Sequence, residues 1–319
     1  MTLPLAPPLQ PQLALSRKAL PEGPQWTYEV KLDGFRCVAF VDGGQVELQS
    51  RNGRSLTRYF PELALPAGRY VLDGEIVVRD ADGRENFDAL GQRIHPADSR
   101  VQRLATETPS VYVAFDLLAL EDESLLEQPF EQRRAALEQM LAQERFANAP
   151  VQPMISTSDP ERAQEWLRGA EGAIAKEREA PYLPGQRKGM VKVKRVRTID
   201  TVLLGWRPGK EPRTVGALIL GLYDGEQLRT IGHCSGLSAG EKRELVDRLA
   251  PYETGQRGSA EPSRWSAGRD LEWVALRPEL VVEVSFDHVS AGRIRHGARL
   301  LRWRQDKDPR DCRFEQLAS

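Results

Sequence analysis

The sequence predicts an α+β protein of two domains, the first made of antiparallel sheets with helices and the second almost entirely of strands. Three observations carry that expectation. The 319 residues, 40% of them hydrophobic, exceed what one small core needs and suffice for two. Between 26 and 120, short β-rich runs alternate with Asp-Gly turns, while helical periodicity is confined to 129–144 and 159–169. After 198 the pattern changes to strands at 202–206, 217–223, 227–233, 280–286 and 299–303, with one helix at 239–249.

Taken in order, 26–50 reads as an antiparallel meander: a strand, an Asp33-Gly34 turn, a strand at 36–41, an Asp-Gly-Gly turn at 42–44 and a strand at 45–49. The run 70–78 reads as a strand pair broken at Asp73 and Gly74. A polar loop follows, then a well-buried strand at 111–120. Asp159, Pro160 and Glu161 form a helix-start signature, because the Asp side chain can cap free N–H groups and Pro loses nothing in the first turn; Gly169 closes that helix. A strand at 171–176, a Pro/Gly loop at 181–189 and a strand at 190–196 complete a first domain of 1–197, leaving 198–319 as the second. Five strands and one helix suit a small barrel of the oligonucleotide/oligosaccharide-binding (OB) type, and an SH3-like barrel fits the same pattern.

Composition narrows the function classes. No stretch reaches the roughly 20 apolar residues that span a bilayer, and the Pro-rich start at 3–12 lacks the basic head and apolar core of a signal peptide, so a soluble, cytoplasmic, monomeric chain without a membrane partner is expected. Cys37, Cys234 and Cys312 are odd in number and far apart, which implies neither a disulfide framework nor a zinc site. His95, His233, His288 and His296 show no metal-ligand spacing. A net charge of −1 argues against bulk electrostatic coating of nucleic acid. Basic residues nonetheless cluster at 187–197 and 293–310, as stripes that suit a phosphate backbone or simply a solvated face.

The chemistry centres on Glu29-Val30-Lys31-Leu32-Asp33-Gly34-Phe35-Arg36. Strand alternation puts Glu29, Lys31 and Asp33 on one face and Tyr28, Val30 and Leu32 on the apolar one. A lysine attacks phosphorus only as the free amine, and the ordinary pKa of roughly 10.4 keeps it protonated at neutral pH, so nearby cations or a metal must favour the neutral form. An exposed hairpin lysine would leave the same local pattern. Glu75 and Glu171 are hard oxygen donors suited to magnesium or manganese. Lys192 and Lys194 share one strand face by the period of two, so both ammonium groups reach one site, where they can hold phosphate and disfavour a charged Lys31. A sheet edge guarded by lysines is the competing account of that pair. Phe115, in an apolar strand, reads as core on pattern alone. The stretch 205–210 superficially suggests a phosphate loop, but Glu211 stands where Ser or Thr must ligate magnesium.

In one order along the chain come Lys31-Leu32-Asp33-Gly34-Phe35-Arg36, Ser50-Arg51-Asn52-Gly53, Asp73-Gly74-Glu75, Phe115-Asp116, Glu171 to Lys176, Lys192-Val193-Lys194 and Arg304-Gln305-Asp306-Lys307. This series resembles the ATP-dependent DNA ligases, within the covalent nucleotidyltransferases that include RNA ligases and mRNA-capping enzymes. The resemblance covers almost the whole chain and is strongest to the short bacterial LigC type and to the ligase module of LigD. Met190 before the lysine pair and Ala173 after Glu171 depart mildly from the family pattern, and neither removes a reacting group.

The resemblance implies a nucleotidyltransferase domain, of ATP-grasp-like antiparallel sheets with helices, followed by an OB-fold β-barrel. It implies ATP and Mg2+ or Mn2+ as cofactors, nicked duplex DNA as partner, and a role in DNA repair beside other repair proteins. Lys31 would carry AMP, with Asp33 near the 3′-hydroxyl or metal. Glu75 and Glu171 would hold the metal. Glu29 would read the adenine edge, Phe115 would stack on the ring, and Arg36 and Arg51 would lie near the ribose and the 5′-phosphate. Lys176, Lys192 and Lys194 would complete the nucleotide site. Arg304 and Lys307, on the second domain, would orient pyrophosphate as leaving group, which requires that domain to close. The position of Lys31 near the start favours ATP over NAD and leaves little room for a separate DNA-encircling domain. RNA ligation, GTP-dependent capping and a non-catalytic nucleic-acid-binding scaffold are the alternatives that nucleotide labelling separates.

Overall fold

The computed structural model describes residues 3–259, 272–290, 292–295 and 297–318; His296 lies outside them. Contacts divide the chain into two units, Met1–Arg195 and Val196–Ser319.

The first unit contains two sheets. One has the order β1 (Leu15–Ser16), β11 (Met190–Lys194), β10 (Gly172–Glu177), β2 (Trp26–Val30) and β9 (Ser156–Thr157). The other has the order β4 (Gln45–Ser50), β3 (Phe35–Gly43), β5 (Gly68–Val78), β6 (Ser110–Leu120) and β7 (Glu123–Ser124), with β8 (Val151–Pro153) parallel to β6. The meander expected over 26–50 therefore holds only in its second half. β3 and β4 form the hairpin, but β2 pairs with β10 and β9 in the other sheet. With both edges of β2 taken, Asp33-Gly34 is a crossover from sheet to sheet and not a hairpin turn. Gly34 makes the crossover possible: a Cβ there would lie 2.3 Å from the Ile76 carbonyl oxygen and 2.7 Å from Glu75 Cγ. Lys31 thus lies just beyond the end of β2, where the sheets face each other, its own N–H donating to the Gly172 carbonyl at 3.0 Å.

A second correction concerns 70–78. β5 is one continuous strand of 11 residues, with register shifts against β6 at Val71/Leu72 and Asp73/Gly74. Gly74 does not turn the chain; it admits the Tyr112 ring, which a Cβ would approach to 2.6 Å. A third correction is that the expected polar loop holds two helices, α1 (Phe87–Gln92) and α2 (Asp98–Glu107). Asn86 caps α1 by accepting the Ala89 N–H at 2.9 Å. α2 buries Val101 and Leu104 on one face.

α3 (Phe130–Leu141) and α4 (Pro160–Gly169) fall within the predicted helical stretches. Ala163, Trp166 and Leu167 of α4 pack with Tyr28, Ala173, Ala175, Val191 and Val193 against the first sheet. Leu32, Val77, Val113, Phe115 and Met154 form a small apolar cluster beside Lys31. The Pro-rich start is a strap: Leu3, Leu5 and Leu9 pack on Val38, Phe40, Val71 and Tyr182.

The second unit is built on β12 (Arg197–Pro208), β13 (Val215–Asp224), β14 (Gln227–Cys234), β15 (Glu253–Ser259), β16 (Glu272–Leu276), β17 (Val281–Phe286) and β20 (Arg299–Trp303), which form one antiparallel sheet. β18 (Val289–Ser290) and β19 (Arg293–Ile294) form a separate pair. β15 and β16 were not legible in the sequence. β12 pairs with β17 along 197–202 and with β16 at Gly205 and Trp206, so it changes partner halfway. α5 (Ala239–Leu249) spans the predicted range, opened by a capping box between Ser238 and Glu241. Gly205 lies within β12 against the Trp273 ring, which a Cβ would meet at 2.1 Å, so this glycine serves packing and not a phosphate loop.

Candidate active site

The site forms where the two sheets of the first unit face each other. Lys31 Nζ is ion-paired with the Glu171 carboxylate and reaches the Leu32 carbonyl at 3.3 Å. Glu171 stands immediately before β10, and its backbone carbonyl accepts the Arg195 N–H at 2.8 Å, which ties it to the end of β11. Its other carboxylate oxygen is 3.9 Å from Lys194 Nζ. On β11, Val191 and Val193 are buried while Lys192 and Lys194 face the other way, as the period of two predicts. Lys192 is opposite Ile174 and Lys194 opposite Gly172, so the lysine pair and Lys31 flank one strand. Burial, reinforced by Lys194, Lys31, Arg51 and Arg187, lowers the Lys192 pKa. Arg51, exposed after β4, therefore belongs to the same positive field.

The second sheet supplies the opposite wall. Glu75 on β5 is opposite Arg36 on β3. Burial pushes its carboxyl up to about 7, although Arg36 and Lys31 oppose the shift; Asp73 and Glu171 add to it. Asp33 and Glu171 present carboxylate oxygens within 4.8 Å of each other. Glu85, which the sequence reading missed, joins this group: burial raises its pKa, Arg79 opposes that, and Asp33 and Glu171 reinforce it. Carboxylates gathered this closely are what a hard divalent cation relieves, so Glu75, Glu171 and Asp33 fit magnesium or manganese.

Beside this lies a cluster of cations and aromatic rings. Glu29, 1% exposed, pairs with Lys176 at 2.9 Å and with Arg134 at 3.3 Å. Lys176 Nζ sits 4.4 Å from the Phe115 ring centroid and 4.6 Å from that of Phe130, and donates to the Phe115 carbonyl at 3.3 Å. Burial dominates both partners, raising the Glu29 pKa and lowering that of Lys176. Arg36 lies 4.5 Å from the Phe115 ring and is clamped by both Asp73 oxygens at 2.6 Å. Asp73 in turn accepts the Tyr182 hydroxyl at 2.5 Å, and the strap's Gln12 N–H donates to that hydroxyl at 2.9 Å. Arg134, Tyr182 and Gln12 carried no sequence signal, because their partners are 105, 109 and 170 residues away.

The fold thus gathers Lys31, Asp33, Glu75, Glu171, Lys192, Lys194 and Arg51 into one electrostatic cluster, with Glu29, Arg36, Phe115 and Lys176 adjoining. Arg304 and Lys307 belong to the second unit. There, both pair with Asp200, Arg304 Nη1 at 2.9 Å and Lys307 Nζ at 3.0 Å.

A lysine amine beside carboxylates and two further ammonium groups is equipped for covalent nucleotidyl transfer. Models of the ATP-dependent DNA ligase domain and of the ATP-dependent DNA ligase C-terminal region match residues 8–194 and 211–307, and the chain belongs to this family of enzymes. It is 43% identical to DNA ligase C1 of Mycolicibacterium smegmatis over 339 aligned positions, covering 99% of this chain and 96% of the relative. Identity to DNA ligase C of Mycobacterium tuberculosis is also 43%, over 347 positions, with the same coverage. Among solved structures, a mycobacterial DNA ligase D complexed with ATP and MES is 32% identical, covers 95% of this chain and 97% of its own, and gives a TM-score of 0.53. No helix among the described residues is long and apolar enough to cross a membrane.

Proposed function

We propose that Lys31 is the adenylyl carrier of a DNA ligase. Its Nζ, as the free amine, attacks the α-phosphorus of ATP; an N–P bond forms, the bond to pyrophosphate breaks, and AMP stays on the lysine as a phosphoramidate. The AMP then passes to a 5′-phosphate at a nick, and the 3′-hydroxyl attacks that activated phosphate, expelling AMP and sealing the strand. The pairing of Lys31 with Glu171, flanked by Lys192 and Lys194, carries this reading. Lys192 and Lys194 bind the α-phosphate. A divalent cation held by Glu75 and Glu171 would neutralise phosphate oxygens, with Asp33 beside it.

Phe115 offers its ring to the adenine, with Glu29 and Lys176 setting the edge of that pocket and Arg36 the ribose side. Arg51 meets the 5′-phosphate. Arg304 and Lys307, contributed by the second unit, orient the leaving pyrophosphate. On this reading 1–197 is the adenylation domain and 198–319 an OB-fold domain; the partner change along β12 supports the latter, because a strand that switches neighbours turns a small barrel's corner. The enzyme acts as a cytoplasmic monomer on nicked duplex DNA in repair.

Intact-mass measurement after incubation with ATP and magnesium tests this. A gain of one AMP, absent in Lys31→Ala and absent with a chelator, is the expected result. An adduct with GTP but not ATP would move the assignment to capping chemistry, faster sealing of RNA than of DNA nicks would move it to RNA ligation, and no adduct with either nucleotide would overturn it.

A further inference from the structure

We propose that Asp200 is a positioning residue for nucleotidyl transfer, holding Arg304 and Lys307 as one preassembled pair for the leaving pyrophosphate. The inference rests on the reading that these two cations act in adenylation, and adds the residue that sets their geometry. Asp200 lies on β12 directly opposite Glu283 of β17, and Glu283 is opposite Arg302 of β20. The chain leaves β20 with the Arg304 N–H donating to the Val281 carbonyl at 2.9 Å. The residues that follow β20 are thereby brought to the Asp200 carboxylate, with Glu283 Oε2 4.0 Å from Arg304 Nη1. Arg304 Nη1 donates to both Asp200 oxygens, at 3.0 and 2.9 Å, and Lys307 Nζ donates to one of them at 3.0 Å.

Asp306 grips the other edge of the Arg304 guanidinium through Nε at 3.0 Å and Nη2 at 2.9 Å, so the group is fixed from two sides. Lys307 has a long, rotamer-rich stem, and Asp200 is what orders it here. Asp200 is 12% exposed, against 19% and 21% for Arg304 and Lys307, so the anion sits inward and the cations outward. Two like charges held together repel unless an anion lies between them, and unordered side chains lose freedom when they engage a ligand. Asp200 removes both costs before pyrophosphate is present. Its contribution belongs to the transfer step, because the cations are aimed at charge that develops on the leaving group.

The test separates the steps of the reaction in Asp200→Asn, Asp200→Ala and Lys307→Ala. Asp200→Asn keeps the shape and one acceptor oxygen, so a failure of Asp200→Ala to fold would leave the question decidable. In both Asp200 variants kcat for lysyl-AMP formation should fall at least about tenfold with KM for ATP within about threefold, the signature of a group used in the transition state. Removal of AMP by added pyrophosphate, the same step reversed, should slow by the same factor. Sealing of a pre-adenylated nick should stay within about twofold of the parent. Equal loss of adenylation and of pre-adenylated sealing would overturn the proposal, as would unchanged adenylation in Asp200→Asn and Asp200→Ala while Lys307→Ala is defective. Normal adenylation by Lys307→Ala would instead overturn the underlying assignment of Arg304 and Lys307.

Discussion

Single side chains in the first unit are held by partners that leave them little freedom. Glu29 is the clearest case, since its carboxylate is shared by Lys176 and Arg134 with almost no exposure to water. Burial costs both charges their hydration, and the pair persists because each ion compensates the other. Lys176→Met should therefore destabilise the protein by about 3 kcal/mol in chemical denaturation, by leaving buried Glu29 with Arg134 alone and removing a cation from the Phe115 and Phe130 rings. Adding Glu29→Gln should recover part of that loss, because the less compensated buried charge is what costs most. A loss below about 1 kcal/mol in the single variant would mean that water reaches this pair. The same logic links Arg36 to function: Asp73, Tyr182 and the Gln12 backbone fix its guanidinium beside Phe115 before any ligand arrives.

At the scale of elements, α1 and α2 show how a largely polar segment is secured. Arg93, just beyond α1, is fully buried and donates to both Glu62 oxygens at 2.5 and 2.7 Å, to the Tyr59 carbonyl at 2.9 Å and to the Thr108 carbonyl at 3.3 Å. Glu62 also accepts the Ser110 N–H and hydroxyl at the start of β6, so one carboxylate joins the helical segment to the sheet. Burial alone would raise the Glu62 pKa, but the hydrogen bonds from Arg93 and Ser110 outweigh it and hold it below the ordinary value. A carboxyl depressed in the folded state contributes stability that is present above the ordinary carboxyl range and lost as pH falls through the lowered value. Glu62→Gln should be about 2 kcal/mol less stable than the parent near pH 7, with the gap narrowing as pH falls below the ordinary carboxyl range, read from melts in acid. A gap unchanged until the parent itself unfolds in acid would assign the effect to packing and not to charge.

For the whole molecule, a net charge of −1 hides an uneven distribution. In the second unit many basic residues are already paired: Arg302 with Glu283, Arg304 and Lys307 with Asp200, and Arg310 with Glu226. The stripe at 293–310 is thus largely neutralised within its own unit, whereas Arg51 and Arg187 contribute to an open positive field around Lys192. Binding to nicked duplex should accordingly be modest and fall steeply with salt between about 50 and 200 mM, since each phosphate contact releases counterions. Arg51→Ala should lower the slope of log affinity against log salt by about one. An unchanged slope would place the DNA backbone away from the Lys192 face.

The sequence by itself determined most regular elements and which side chains share a face, because these rest on local rules. Lys192 and Lys194 share a face through the strand period, α5 falls on the helical run at 239–249, and Asp159-Pro160-Glu161 marks the start of α4. Only the tertiary structure decided that Asp33-Gly34 crosses between two sheets, that Gly74 accommodates an aromatic ring inside one long strand, and which carboxylate or hydroxyl each cation finds. Those outcomes depend on steric fit and charge pairing between residues some 100 or more positions apart, such as Asp73 with Tyr182, Glu29 with Arg134 and Asp200 with Lys307, where no local periodicity exists to be read.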